Sequence, residues 1–223
     1  MKISKDTISA LQNFSTINSN ILIQEGNVIK TISEAKNIFA SAEISESFPT
    51  EFGIYDLNEF LSVLDLVEDP NLDFGEKSVK ISNKNQSVDY FYSSSELITH
   101  PSKDVKMPDS ELTIQLSQSV LSKIKKAASV LGHSNVIISG SNGKVSLSVS
   151  DPNNSSANTF SIVIDDDNEC KESFSFVLLI NNLKLLNGNY TVNISSRLIS
   201  NFVHESGNVQ YWIALEKNST YGK

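Results

Sequence analysis

Three histidines, one cysteine and one run of acids are the residues of this chain that could carry covalent or metal chemistry. His100, His133 and His204 are far apart, and none has a His or Cys partner at metal-ligand spacing. Cys170 follows the acidic run in "DDDNEC", where neighbouring carboxylates raise a thiol's pKa rather than activate it. As a lone cysteine it can form neither an internal disulfide nor a cysteine cage. The run "DDDNE" at 165–169 fails as an EF-hand loop, which needs glycine at its sixth position and glutamate at its twelfth. Counted from Asp165, those positions hold Cys170 and Phe176. Asp56, Glu59 and Asp65 fall on the polar side of one helical pattern. No nucleophile elbow, P-loop or dinucleotide fingerprint is present. The expectation is therefore no catalytic residue, no metal and no cofactor.

The remaining chemistry is charge. Acidic residues outnumber basic ones 26 to 18, giving a net charge of -8, yet "SKIKKAASVLG" at 122–132 gathers Lys123, Lys125 and Lys126. At about 100° per residue, Lys126 lies about 160° from Ile124, the centre of the apolar stripe. Ser119, Ser122 and Ser129 share its outward pole, and Lys123 and Lys125 sit on the flanks. The first helix gives a similar face: opposite Leu11 stand Lys5, Ser9, Gln12 and Thr16, with Lys2 just before. Small polar residues with cations above them suit either a solvated helix or contact with nucleic-acid phosphates, which need lysine or arginine and carry no sequence information. On an acidic chain the second reading gives one face to DNA and leaves the rest repelling it.

The elements that must carry these faces are legible from periodicity. Residues 4–14 form a helix with Ser4 as its cap, and 55–67, "YDLNEFLSVLDLV", form a second. Residues 117–131 form a third. A short helix is expected near "INNLKLLNG", ending at Gly188. Strand patterns cover 20–24, 27–33, 37–44, 78–82, 88–93, 111–116, the hairpin 135–150, 158–164, 173–179, 190–195 and 208–216. Glu25-Gly26 and Asn142-Gly143 read as hairpin turns. The offset is 113 residues from Ser4 to Ser117 and 117 from Gly26 to Gly143. A repeat of that length indicates a duplicated domain. The fold class is α+β, with domains at 1–108 and 109–223. Between them, 96–108 is an extended connector holding Pro101 and Pro108. No apolar run approaches the roughly 18 to 20 residues that span a bilayer, and the N-terminus lacks a signal-peptide core, so a cytoplasmic protein is expected.

Four segments, "MKISKDTISALQNFSTINS", "IYDLNEFLSVLDLV", "NGNY" and "WIALEKNST", resemble the sliding clamp of T-even-type bacteriophages in the same order along the whole chain. The resemblance implies a DNA-clamp fold. Each subunit holds two topologically alike domains, and three subunits close head to tail into a ring with helices lining the hole and sheets outside. It implies a processivity factor without catalytic activity that encircles duplex DNA. The implied partners are itself as a homotrimer, the replicative DNA polymerase, an ATP-driven clamp loader and late-transcription factors of the phage, with no membrane. The implied location is the cytoplasm of the infected bacterial host. Carried over by position, Lys5, Gln12, Lys123, Lys125, Lys126 and Lys184 fall on pore helices. The strands "VDYFYS" (Tyr90, Phe91, Tyr92) and "NTFSIVI" (Phe160, Ile162) are expected to supply the subunit edges. A pocket for partner tail peptides is expected near 97–107. The acidic helix 55–67 departs from a basic lining. A duplicated β-rich binding or virion structural protein is the competing reading.

Overall fold

The computed structural model describes residues 1–152, 154 and 156–222, which form two compact units, Met1–Asp104 and Val105–Lys223. Unit 1 contains α1 (Lys5–Ile17), β1 (Ile21–Ile23), β2 (Gly26–Ile32), β3 (Ile38–Phe48), β4 (Phe52–Ile54), α2 (Leu57–Leu66), β5 (Asn71–Phe74), β6 (Ser78–Ser82) and β7 (Ser87–Phe91). Unit 2 contains β8 (Leu112–Leu116), α3 (Gln118–Leu131), β9 (Asn135–Ser141), β10 (Lys144–Val149), β11 (Phe160–Asp165) and β12 (Phe174–Leu179). It continues through β13 (Tyr190–Ser195), β14 (Ile199–His204), β15 (Val209–Ala214) and β16 (Thr220–Tyr221).

The two units share one plan. In unit 2, β8 pairs with β13, β13 with β14 and β14 with β15, all antiparallel. In unit 1, Met1 takes the place of β8: its ammonium donates to the Leu72 carbonyl at 2.6 Å, and its own carbonyl accepts from the Leu72 amide at 2.7 Å. The β5–β6–β7 sheet then matches β13–β14–β15. β1 pairs with β4 as β9 pairs with β12, and each unit's chain returns to that last strand, by a Gly53–Ser93 bridge or by β16. Gly53 is required there, because a Cβ would lie 2.5 Å from the Ser93 carbonyl oxygen. Helices cover one face of each unit's sheets, so both units are α+β and alike.

Helix entry is set by local chemistry. Ser4 caps α1, its Oγ accepting from the Thr7 amide at 3.2 Å, and Ser117 caps α3 in the same way toward Val120. Asp56 caps α2, accepting from the amides of Asn58 and Glu59. Gly132 ends α3 in the left-handed conformation, at φ 69°. Burial of Leu11 and Phe14 rolls α1, burial of Leu57, Phe60 and Leu64 rolls α2, and burial of Leu121, Ile124 and Ala128 rolls α3. Asn142 and Gly143 both have positive φ, 51° and 83°, which makes the β9–β10 connection the type I′ turn that its Asn-Gly predicts.

Three expectations differ from what is observed. No helix forms over 180–188: a single 3-10 turn, Ile180–Asn182, is followed by irregular chain. Leu183 and Leu185 are both buried, and residues two apart cannot share one helical face. Lys184 is therefore not on a helix. The turn at Glu25-Gly26 does not close a hydrogen-bonded hairpin, because β1 ladders with β4 while Gly26 already faces Phe48 on β3. Strands β4, β5, β14 and β16 are not among the strands that the sequence predicts; β5, Asn-Leu-Asp-Phe, alternates over only four residues. In β14, Ser200 and Asn201 are buried, which masks the strand pattern, and their side chains bond to the Ile213 and Tyr211 carbonyls.

Glu46 on β3 ties α1 to its sheet. Its carboxylate accepts from the Ser4 amide, from Thr7 Oγ1 at 2.6 Å and from Ser45 Oγ at 3.0 Å. Burial pushes this carboxyl up, but the bonds from Thr7 and Ser4 outweigh it and hold it at about 2, below the ordinary 4.5. A depressed acid stabilises fully above its unfolded value and loses that contribution as pH falls through its folded value. Glu46→Gln is expected to cost about 1 kcal/mol at neutral pH, as loss of a helix cap does. That lowers the melting temperature by about 2–4 °C for a chain of this size. The gap between wild type and variant should close as pH drops from 4.5 toward 2; a gap independent of pH would refute the carboxylate's role.

Candidate functional site

The basic face is on α3. Lys123, Lys125 and Lys126 are exposed, as are Ser119, Ser122 and Ser129, while Ile124 is fully buried. Lys126 thus points away from the sheet, as the wheel requires. Among the described residues, no carboxylate lies within ion-pair distance of these three lysines or of Lys5. Lys125 is exposed, yet partial burial of its surroundings pushes its ammonium down. On α1, Lys5, Ser9, Gln12 and Thr16 are exposed. Lys2, by contrast, is neutralised by Asp69 at 2.5 Å.

Where α2 has a counterpart in unit 2, the irregular segment 183–189 takes its place. Gln118, in the first turn of α3, holds this segment: its Oε1 accepts from the Gly188 amide at 2.7 Å, and its Nε2 donates to Asn187 Oδ1 at 3.3 Å. From the sheet, Tyr190 donates its hydroxyl to the Leu186 carbonyl at 2.6 Å, and the Leu186 amide donates to Tyr211 Oη at 3.2 Å. Burial pushes both phenols up, as expected of hydroxyls kept as neutral hydrogen-bonding groups. Lys184 is half-buried within this segment.

A second feature lies beside the lysines. Ala127, Val130 and Leu131 of α3 and Phe160 and Ile162 of β11 line a groove of about 690 Å³, with Lys123 and Lys126 on its helical wall. Val130 is 74% exposed, and β11 is the end strand of its sheet. In unit 1, β7 is likewise an end strand. The aromatic triplet there divides by pleat. Phe91 is 70% exposed, while Tyr90 packs edge-on against Phe60 at 5.1 Å. Burial first, and then the carboxylates of Glu59 and Asp56, push the Tyr90 phenol up to about 12. Tyr92 lies just past β7 and rests on Phe52 at 5.2 Å. Of the three rings, only Phe91 is free to meet another surface. Val130 was missed because the wheel argument sought cations on the outward side of α3; a valine among Ser129, Lys126 and Lys123 was the available signal.

The connector is held to unit 1. Asn20 Oδ1 accepts from the Thr99 amide at 2.9 Å, Asn18 Nδ2 donates to the Thr99 carbonyl at 3.2 Å, and Lys30 pairs with Asp104 at 2.6 Å. Between these anchors, Leu22, Gln24, Lys30 and residues 100–104 line a cavity of about 220 Å³. The loop after β11 is built around Asn168, 7% exposed, whose side chain donates to the Thr113 carbonyl and to Asp165 and accepts from the Cys170 amide. Among the described residues, no three His, Cys, Asp or Glu side chains converge as metal ligands would.

Two family models match the chain in tandem. The model for DNA polymerase processivity factors covers residues 4–107, and that for the C-terminal domain of the gp45 sliding clamp covers 113–217. The sliding clamp of Vibrio phage KVP40 is 34% identical over 222 residues, spanning 97% of this chain and 99% of that protein. This chain belongs to the phage sliding-clamp family. The sliding clamp of Escherichia phage RB69 is 30% identical over 229 residues, covering 99% of both chains. Among solved structures, A. fulgidus PCNA superposes with a TM-score of 0.74 over 98% of both chains at 11% identity, so the fold persists where the sequence does not. The clamp is therefore a processivity factor for DNA polymerase, built of two similar α+β domains.

The tie between α3 and segment 183–189 can be tested in this clamp. Gln118→Ala removes the acceptor of the Gly188 amide, which should destabilise the segment by about 1 kcal/mol. Amide exchange at Gly188 should speed up about fivefold while exchange at Ile124, in the α3 core, stays unchanged. Unaltered protection at Gly188 would show that the tyrosines hold the segment without Gln118.

Proposed function

We propose that three copies of this chain close head to tail into a ring around duplex DNA, with Lys126 of each α3 reaching phosphates in the hole. The observation that carries this is the unpaired lysine face of α3, set at the outward pole of an otherwise acidic chain. Lys5 and Gln12 of α1 add to the same lining, with Lys123 and Lys125 at the flanks. Topology retains the ring on DNA, so the contacts can stay few, weak and salt-sensitive, and weak contacts permit sliding. Holding the polymerase beside the primer end raises its effective concentration there without altering its chemistry. The clamp needs no catalytic group for this. A duplicated β-rich virion protein would account for the repeat but not for the lysine face.

The subunit contact joins β7 of one copy to β11 of the next, with Phe91 entering the groove formed by Ala127, Val130, Phe160 and Ile162. Two unpaired sheet edges are thereby covered at once. Tyr90 and Tyr92 support this edge from behind rather than entering the contact. The domain boundary falls within the connector. The cavity beneath residues 100–104 is the place for tail peptides of the polymerase, an ATP-driven clamp loader and late-transcription factors of the phage. The working location is the cytoplasm of the infected bacterium.

Light scattering should give about three times 24.5 kDa at high concentration; a stable monomer there would overturn the ring. Primer extension on circular template with cognate polymerase and loader should lengthen when the clamp is added. Lys126→Glu should weaken DNA retention more at low salt than at high, leaving the trimer intact. Phe91→Ala should do the reverse, weakening each subunit contact by about 2 kcal/mol, as truncating a buried aromatic anchor does. A trimer unaffected by Phe91→Ala would move the contact elsewhere.

A further inference from the structure

Unit 1 offers duplex DNA a different surface from unit 2. α1 and α2 pack side by side, and Gln12 of α1 lines one groove with Asn58, Leu61, Ser62 and Asp65 of α2, so the outward faces of the two helices are continuous. Whatever the α1 face meets, the α2 face meets too. The exposed side of α2 carries Asp65, which lines the groove, and Glu59, on the flank toward Tyr90; Asp56 stands at the cap, Glu68 and Asp69 lie just beyond, and α2 carries no cation. The one ammonium lining the groove, Lys2, is tied up by Asp69. In unit 2 the comparison reverses: α3 carries three unpaired lysines and no acid, and the element matching α2 is a 3-10 turn followed by segment 183–189, without a carboxylate.

We propose that the α2 face, through Glu59 and Asp65, is a repelling wall that weakens the hold of unit 1 on duplex DNA and concentrates phosphate contact on α3. This rests on the ring reading above. Screened charges act over about 8–10 Å at ordinary salt, enough for carboxylates lining a hole to push on a duplex without touching it. Attraction then comes mainly from three α3 helices, one per subunit, while Lys5 of α1 works against the acids of its own unit. A duplex in such a lining has three weak tracks instead of a continuous basic sleeve. The wall thus limits how many phosphates are neutralised at once, which sets the friction on sliding.

The test is diffusion of loaded rings on nicked circular duplex, followed one molecule at a time at about 50 mM and about 200 mM salt, the range over which phosphate contacts weaken most. Glu59→Gln combined with Asp65→Asn removes the charges and keeps the shapes. The expected result is diffusion slowed about two- to fivefold at the lower salt, with the difference vanishing at the higher. Lys126→Gln should speed diffusion in the same assay. Unchanged diffusion of the double variant at both salts overturns the wall. Asp65→Asn alone, away from the Tyr90 contact, carries the same test where the double variant loses its trimer. A wild-type ring that neither loads nor lengthens primer extension removes the clamp reading itself, whereas a working wild-type ring with an unaltered variant removes only the wall.

Discussion

Ile124, with no exposed surface, fixes the roll of α3 against the β9–β10 hairpin, and the functional surfaces of unit 2 follow from that one burial. A helix has one rotational degree of freedom on a sheet, and an apolar stripe of Leu121, Ile124 and Ala128 leaves it no second choice. Once the stripe is down, Lys126 and the serines must face water, and Val130 must lie on the flank toward β11. The lysine face and the apolar groove beside it are thus two sides of one helix. Serine on the outward pole has its own value. It keeps the surface low, so lysine ammonium groups stand above it and, in the proposed ring, can follow a moving phosphate by changing rotamer.

How the two halves diverged is as informative as their likeness. Each runs helix, four strands, a connecting element and three strands, preceded by β8 in unit 2 and by Met1 in its place in unit 1, and each returns a final segment to its fourth strand. The connecting element differs. In unit 1 it is α2, whose buried Leu57, Phe60 and Leu64 follow helical spacing. In unit 2, buried Leu183 and Leu185 do not, and the backbone groups that a helix would have satisfied are met by Gln118, Tyr190 and Tyr211. One solution uses local hydrogen bonds, the other long-range ones. The second needs specific side chains at distant positions, and so is harder to recognise from its own stretch of sequence.

That contrast explains what the sequence made legible. Helices with a cap and a regular stripe, α1, α2 and α3, could be read from residues alone, as could the Asn142-Gly143 turn, because each signal is local. Failures occurred where a distant partner decides. The segment holding Leu183 and Leu185 looked helical only because the side chains that tie it down, Gln118, Tyr190 and Tyr211, lie far off in sequence. Strand β14 was hidden because Ser200 and Asn201 satisfy carbonyls on β15 and so tolerate burial. The wheel found the lysine face, but the groove beside it could not be found that way, since half of its lining comes from β11. Among the three aromatics at 90–92, sequence could not say which faced outward; the pleat separates Phe91 from Tyr90 by anchoring Tyr90 on Phe60.

The proposed contact between edge strands β7 and β11 has a consequence for assembly size. Two different, mutually complementary edges on one molecule define a polar contact that can repeat without limit, and nothing in the contact itself says when to stop. Termination is purely angular: growth ends when successive rotations add up to a full turn. In the proposed ring the rigidity of each subunit is then what counts to three, with the Gly53–Ser93 closure in unit 1 and the tyrosine ties in unit 2 contributing to it. A variant that relaxed those ties by a few degrees would keep every residue of the contact and build helical filaments in place of closed rings.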